Sequence, residues 1–251
     1  MIIKIKHMNI SSIKNNYNSL SRSQKKGAGT PAYTRFINRF LGRLIASFLA
    51  EFNISPNTIS VVSGLITISS FILFLIIPTI TFWHSLILVL LLYFGYALDS
   101  ADGQLARLLK KQSKHGDWLD HTFDAVKIPL SQGVAAFYIV TNLTFLSTKH
   151  IIFYLMIISL ACANYMSGIL KSKLLVSNNK SFYNDKSKSS NIFRSFITLP
   201  LDYGIFISMF LFTYNTKLFF VIYSLWGIVF ILYSLLLLLK SWRELKNNTI
   251  V

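Results

Sequence analysis

Residues 58–99 read TISVVSGLITISSFILFLIIPTITFWHSLILVLLLYFGYALD. No charged side chain occurs in this stretch until Asp99 closes it, and Pro78 divides it into two apolar runs, 58–80 and 82–99. Each run comes close to the ~20 apolar residues that a helix needs to cross a bilayer. Working outward, further apolar runs cover 118–141, 150–170, 200–214 and 217–239. The fifth is short and extends backwards through Phe196 and Ile197. The runs are continuous rather than alternating, which excludes a transmembrane β-barrel. The pattern predicts an all-α integral membrane protein with six transmembrane helices.

Composition supports the same class. The chain has 251 residues, 53% hydrophobic and 14% charged, with mean hydropathy +0.52. A soluble domain carries about 25% charged residues. A soluble enzyme, a disulfide-built secreted scaffold and a disordered chain are excluded. The single cysteine, Cys162, lies in an apolar run and has no intrachain partner. Net charge is +16, and all of the 25 Lys and Arg except Lys127, Lys149 and Lys217 fall on one side of the six-span topology. By the positive-inside rule this places both termini on the cytosolic face of a cell inner membrane or its equivalent. The charge therefore reads as topology and not as nucleic-acid binding.

Residues 1–28 are Asn-, Ser- and Lys-rich without a sustained period, which predicts a mobile basic tail; Lys4, Lys6 and His7 interrupt any signal-peptide core. In 29–52 the pattern changes. Tyr33, Phe36, Ile37, Phe40, Leu41, Leu44 and Phe48 recur at helical spacing beside a stripe of Arg35, Arg39 and Arg43. This predicts an amphipathic helix lying in the membrane interface, with Pro31 in its first turn. The six-span domain then runs over 53–240 and a cytosolic tail over 241–251.

Acidic residues are scarce, so their placement is informative. Five of the nine, Asp99, Asp102, Asp117, Asp120 and Asp124, fall at the end of the second span and the start of the third. Asp99 and Asp102 are i, i+3 on one helix; Asp120 and Asp124 are i, i+4 on the next. Two antiparallel helices joined by a turn at Gly116 can present four carboxylates to each other. Near hydrocarbon such a group repels itself unless cations neutralise it. All-oxygen ligands favour Mg²⁺, Mn²⁺ or Ca²⁺, and no Cys or His pattern argues for zinc. Gly103 and Ala106 remove bulk beside Asp102, where a ligand can approach backbone closely. Arg107 adds a forked, phosphate-binding cation. Together these residues suggest a phosphate-bearing substrate at the cytosolic interface.

The run Asp99-Ser-Ala-Asp102-Gly103-Gln-Leu-Ala106-Arg107, eight residues, Gly116, three residues, Asp120, three residues, Asp124 resembles the complete signature of the CDP-alcohol phosphotransferase (CDP-alcohol phosphatidyltransferase) family. All eight fixed positions are filled. The resemblance implies a juxtamembrane helix, six spans and a homodimer. It implies that Asp99, Asp102, Asp120 and Asp124 bind two divalent ions, Mg²⁺ or Mn²⁺, with Asp124 also the general base. Gly103, Ala106 and Arg107 then hold the CDP part of the donor. Ser113 matches a loop position that contacts donor phosphates. Pro56-Asn57-Thr58-Ile59-Ser60 is similar to the family's P-N-x-I-T element beside the nucleotide, and it also reads as a plain helix start. The implied reaction is transfer of a phospho-alcohol group, phosphatidyl or similar, from a CDP-linked donor to an acceptor hydroxyl. CMP is released, in phospholipid or related membrane-polymer synthesis.

Donor and acceptor identity stay open. The Arg-Ala-Glu-like element of many phosphatidyltransferases is replaced by Ser167-Gly-Ile-Leu-Lys171-Ser-Lys173. Lys127, with Lys171, Lys173 and Arg194, could bind an acidic acceptor such as a polyol phosphate; alternatively Lys127 pairs with nearby carboxylates and the loop lysines serve topology. His121 points away from Asp120, and Asp202 reads first as a helix cap. A cation transporter is the alternative class, since it too places carboxylates in membrane helices.

Overall fold

The computed structural model describes residues 10–22, 30–52, 54–177 and 188–249, and within them the ordered elements are helices. α1 is Ile10–Arg22, and a π-helical turn at Thr34–Asn38 leads into α2, Arg39–Leu49. α3 (Pro56–Ile76), α4 (Phe82–Leu108), α5 (Lys114–Asn142) and α6 (Thr148–Ser177) follow. α7 (Lys188–Ile197) precedes α8 (Tyr203–Met209), which tightens into a 3₁₀ stretch, Phe210–Tyr214, before α9 (Thr216–Thr249). Among the described residues, four helices are long and apolar enough to cross a membrane: Pro56–Ile76, Phe82–Leu108, Thr148–Leu174 and Thr216–Asn247. They leave large apolar side chains bare, among them Leu65, Ile76, Leu90, Leu155 and Leu236. A water-soluble fold would bury such a surface, so the chain is a membrane protein. The third and fifth apolar runs of the sequence are helical as well. α5 carries Asp117, Asp120, Asp124 and Lys127, and Tyr203–Tyr214 is too short to span alone.

Local chemistry sets the helix ends near the carboxylates. Ser55 has extended backbone and Pro56 fills the first position of α3, where its missing N–H costs nothing. Ser113 caps α5 by accepting from Gly116 N at 3.0 Å. Between them α4 stops on Lys110, at φ 53°, with Lys111 N bonded to Ala106 O at 2.9 Å and Lys110 N to Arg107 O at 3.3 Å. This is the double hydrogen bond of a Schellman turn, built on a residue with a Cβ. It reverses the chain so that α5 packs on α3 and faces α4 across the carboxylates.

Close backbone approach packs the helices around that turn. Ser63 Oγ donates to Gly95 O at 2.8 Å, and a Cβ on Gly95 would lie 2.7 Å from Thr67 Oγ1. α2 crosses α4 through Gly42, whose Cβ would meet Ser100 Oγ at 2.6 Å, and Gln104 Nε2 donates to Arg39 O at 3.1 Å. The main core is aromatic. Phe71, Phe206, Phe210, Phe219 and Tyr223 are fully buried, with Phe71–Phe210 centroids 5.6 Å apart. Two of its tyrosine hydroxyls are bonded, Tyr223 Oη to Gln132 Oε1 at 2.9 Å and Tyr138 Oη to Thr213 O at 2.7 Å.

Part of the segment expected as a mobile tail is structured. Ile10–Arg22 is a helix; Leu20 is buried with Ala46 and Leu98, and Asn16 bonds Glu51 at 3.0 Å. Ile10, Ile13, Tyr17 and Leu20 carry the helical spacing, diluted by intervening Asn and Ser. The rest of 1–28 lies outside the described residues. α2 turns Phe40, Leu44 and Phe48 outward and Gly42 and Ala46 towards α4, and Asn38 is buried at the end of the turn before it.

Candidate active site

α4 and α5 bring the acidic residues together as their spacing requires. Carboxylate oxygens of Asp99, Asp120 and Asp124 lie within 4.8 Å of one another. Asp102 stands beside them on the α4 face, buried, accepting from Ser60 Oγ and from Gly103 N. One cleft is lined by all four aspartates together with Arg39, Gly103 and Arg107.

Lys127 is 4% exposed, and its ammonium bonds Asp99 Oδ1 at 2.5 Å and Asp124 Oδ1 at 3.0 Å. It is a fixed internal counter-charge for two of the carboxylates. The pairing with nearby carboxylates that the sequence offers as one alternative is present. The other basic residues grouped with it lie apart. Lys171 pairs with Glu244 on α9, Lys173 lines a groove with Trp118 and His121, and Arg194 is exposed on α7.

A second pocket opens from the carboxylates past Asp102 and Asp120. Its walls are Asn57, Ser60, Gly103, Ala106, Arg107, Ser113 and Gly116, so the expected donor-binding residues share one wall. Gly116 is tight, since a Cβ there would sit 3.0 Å from Asn57 Oδ1. Gly103 is open: a Cβ would meet only Arg107 Nη1, at 3.7 Å. Protein packing therefore does not explain that glycine, whereas clearance for a ligand does. Arg107 Nε is buried with no hydrogen-bond partner. Burial, and then the charge of Arg107, pushes the Arg39 guanidinium pKa down. Two cations thus converge where an anion would relieve both.

On the opposite side a chamber of about 310 Å³ is lined by Thr34, Asn38, Arg39, Tyr96, Asp99, Asp124, Lys127, Tyr165 and Tyr203. The sequence singles out Asp99, Asp124 and Lys127 among its walls but not Thr34, Asn38 or the tyrosines. Arg39 reads there as part of the interfacial stripe, and the tyrosines are scattered over three helices. The available signal was Asn38, a polar residue in line with Gly42 and Ala46 on the small face of α2. Asp202 belongs to the scaffold. It caps α8 through Gly204 N at 3.2 Å and holds Tyr33 N at 2.8 Å and Thr34 Oγ1 at 3.0 Å, tying the segment before α2 to α8. His121 is exposed, with its carbonyl bonded by Tyr165 Oη at 2.7 Å.

No individual curated protein matches the chain significantly. The family model for CDP-alcohol phosphatidyltransferase matches residues 53–237, from the start of α3 into α9, and so spans the carboxylate cleft and the pocket beside it. With both carboxylate helices and the arginine-lined pocket inside that match, the chain belongs to the CDP-alcohol phosphatidyltransferase family.

Proposed function

We propose that the protein moves a phospho-alcohol group, phosphatidyl or similar, from a CDP-linked donor to an acceptor hydroxyl, using divalent metal and releasing CMP. One observation carries the reading: three carboxylates from two helices within 4.8 Å, beside an arginine whose buried Nε lacks a partner. The donor set is all oxygen and rich in negative charge, which fits Mg²⁺ or Mn²⁺. Asp99, Asp102, Asp120 and Asp124 would hold two such ions. Bound there, the metal supplies charge neutralisation for the donor pyrophosphate and the departing CMP.

The chain's own residues do the rest. Arg107 and Ser113 bind the donor phosphates, and Gly103 and Ala106 leave room for them; Asn57 and Ser60 shape the nucleotide side. Asp124 takes the proton of the acceptor hydroxyl. The acceptor oxygen forms a bond to the donor's β-phosphorus as the bond to the CMP oxygen breaks, in line with it. Lys127 holds Asp99 and Asp124 in place. Arg39 and Arg107 on the same cleft favour an anionic ligand over a transported cation.

The reading includes six crossings, with α5 and the Tyr203–Tyr214 segment inside the bundle, α2 in the interface, and the cleft and both termini cytosolic. Mass spectrometry of products tests the activity. Purified protein with Mn²⁺ receives CDP-diacylglycerol, CDP-glycerol or CDP-ethanolamine against polyol, polyol-phosphate and lipid acceptors. A new phosphodiester formed in step with CMP is expected, and none from Asp124→Asn. Protein that binds CDP yet yields no phosphodiester with any pair would contradict it.

A further inference from the structure

We propose that α7 is an interfacial helix whose apolar side lies on the leaflet nearest the cleft, and that this contact favours anionic lipid. The inference does not draw on the transfer reading; it needs only a chain that sits in a membrane.

The fifth apolar run of the sequence extends backwards through Phe196 and Ile197, but the helix does not. Leu199–Leu201 is a 3₁₀ turn containing Pro200, and Asp202 opens α8 afresh. α7 is therefore an element of its own. Its 10 residues reach about 15 Å, half the hydrocarbon thickness, too short to cross.

Its faces are unequal. At about 100° per residue, Ile192, Phe193, Phe196 and Ile197 fall within about 140° of arc, with Ser195 and Arg194 flanking it on either side. All four apolar side chains are exposed, Phe193 at 69%, whereas Ser195 is fully buried and accepts from Arg35 Nη1 at 3.0 Å. Phe196 meets Phe36 of the turn before α2, centroids 6.4 Å apart. Phe36 and Ile37 are exposed too, so two elements far apart in sequence join one bare apolar surface. An apolar arc edged by cations is the pattern of a helix lying in the headgroup boundary.

Charge decides the kind of lipid. Residues 30–50 and 188–201, which build this surface, contain five Lys and Arg and no Asp or Glu. Arg194 is exposed on α7, and Arg35 lies over the Phe36 ring at 5.3 Å. An anionic leaflet complements such a surface. A second copy packed on it about a two-fold axis would bring the same cations face to face. The turn that α7 touches also carries Thr34, Asn38 and Arg39 to the chamber beside Asp99 and Asp124, so the lipid contact lies one element from the site.

Spin labels on the full chain in nanodiscs test this. Phe193→Cys and Ile197→Cys are made in a Cys162→Ser background, with Leu155→Cys as the lipid-facing control and Lys111→Cys as the water-facing one. Relaxation by oxygen, which concentrates in lipid, is compared with relaxation by a water-soluble nickel chelate. In discs containing phosphatidylglycerol, labels at 193 and 197 should resemble the Leu155 control, and less so in discs of phosphatidylcholine alone. Arg194→Gln should shift the docking equilibrium about fivefold towards water in the charged discs, the worth of one basic residue at an anionic surface, and leave the neutral discs unchanged. Labels at 193 and 197 that follow the Lys111 control in charged discs would overturn the proposal. So would equal docking in both disc types, indifference to Arg194→Gln, or dipolar broadening between labels, which would assign the surface to a second copy.

Discussion

Arg107 gives the sharpest residue-scale expectation. A guanidinium with an unpartnered Nε in a phosphate-sized pocket acts as a fork, which lysine does not reproduce. Arg107→Lys should weaken donor binding about 10- to 100-fold, the cost of a charge-assisted bond, read as KM for the CDP-linked donor with acceptor KM unchanged. Lys127 gives the second. Removing one partner of a buried ion pair costs about 3–5 kcal/mol, so Lys127→Met should lower thermal stability in EDTA. Added Mn²⁺ should narrow the gap to wild type, because the freed carboxylates can accept the ion. A gap indifferent to Mn²⁺ would show that Lys127 is not their counter-charge. At this scale the carboxylates were legible because helical spacing alone fixes which side chains share a face. Asn38 and Arg39 were not, because a stripe of arginines reads equally as a membrane-facing edge until α4 is seen to cover part of it.

At the scale of elements, the turn between α4 and α5 sets the register of the site. Lys110 holds a left-handed backbone, which costs a residue with a Cβ about 1 kcal/mol or more. Lys110→Gly should therefore stabilise the fold by up to about 1 kcal/mol, measured by thermal unfolding, with CMP release unchanged. Gly64 tests the α3–α5 contact: a Cβ there would overlap the Phe123 ring, next to Asp124. Gly64→Ala should cost about 1–3 kcal/mol as overpacking and depress CMP release further by shifting Asp124. Gly133→Ala, which meets nothing within 4 Å, is the neutral comparison. The helices themselves were readable from apolar runs. α1 was not, since four apolar positions among Asn and Ser give a weak period that becomes a helix only once Leu20 packs against Ala46 and Leu98.

For the whole molecule, the distribution of Lys and Arg predicts the topology. With single cysteines in a Cys162→Ser background, Lys149→Cys should react with an impermeant maleimide in intact cells. Lys111→Cys and Lys246→Cys should react only after permeabilisation; the reverse pattern would invert the assigned orientation. The aromatic core and bare apolar helix faces follow from composition, whereas the chamber lined by Thr34, Asn38 and Arg39 needed the packing of α2 and the turn before it over α4. On the proposed function, one cleft brings a divalent ion and a CDP-linked donor together. Calorimetric titration of CDP into the purified chain, with and without Mn²⁺, tests it most directly. CDP should bind with Mn²⁺ present, and lose that binding in EDTA and in Asp102→Asn. CDP binding that is indifferent to Mn²⁺ and to Asp102→Asn, or no CDP binding under any condition, would contradict it.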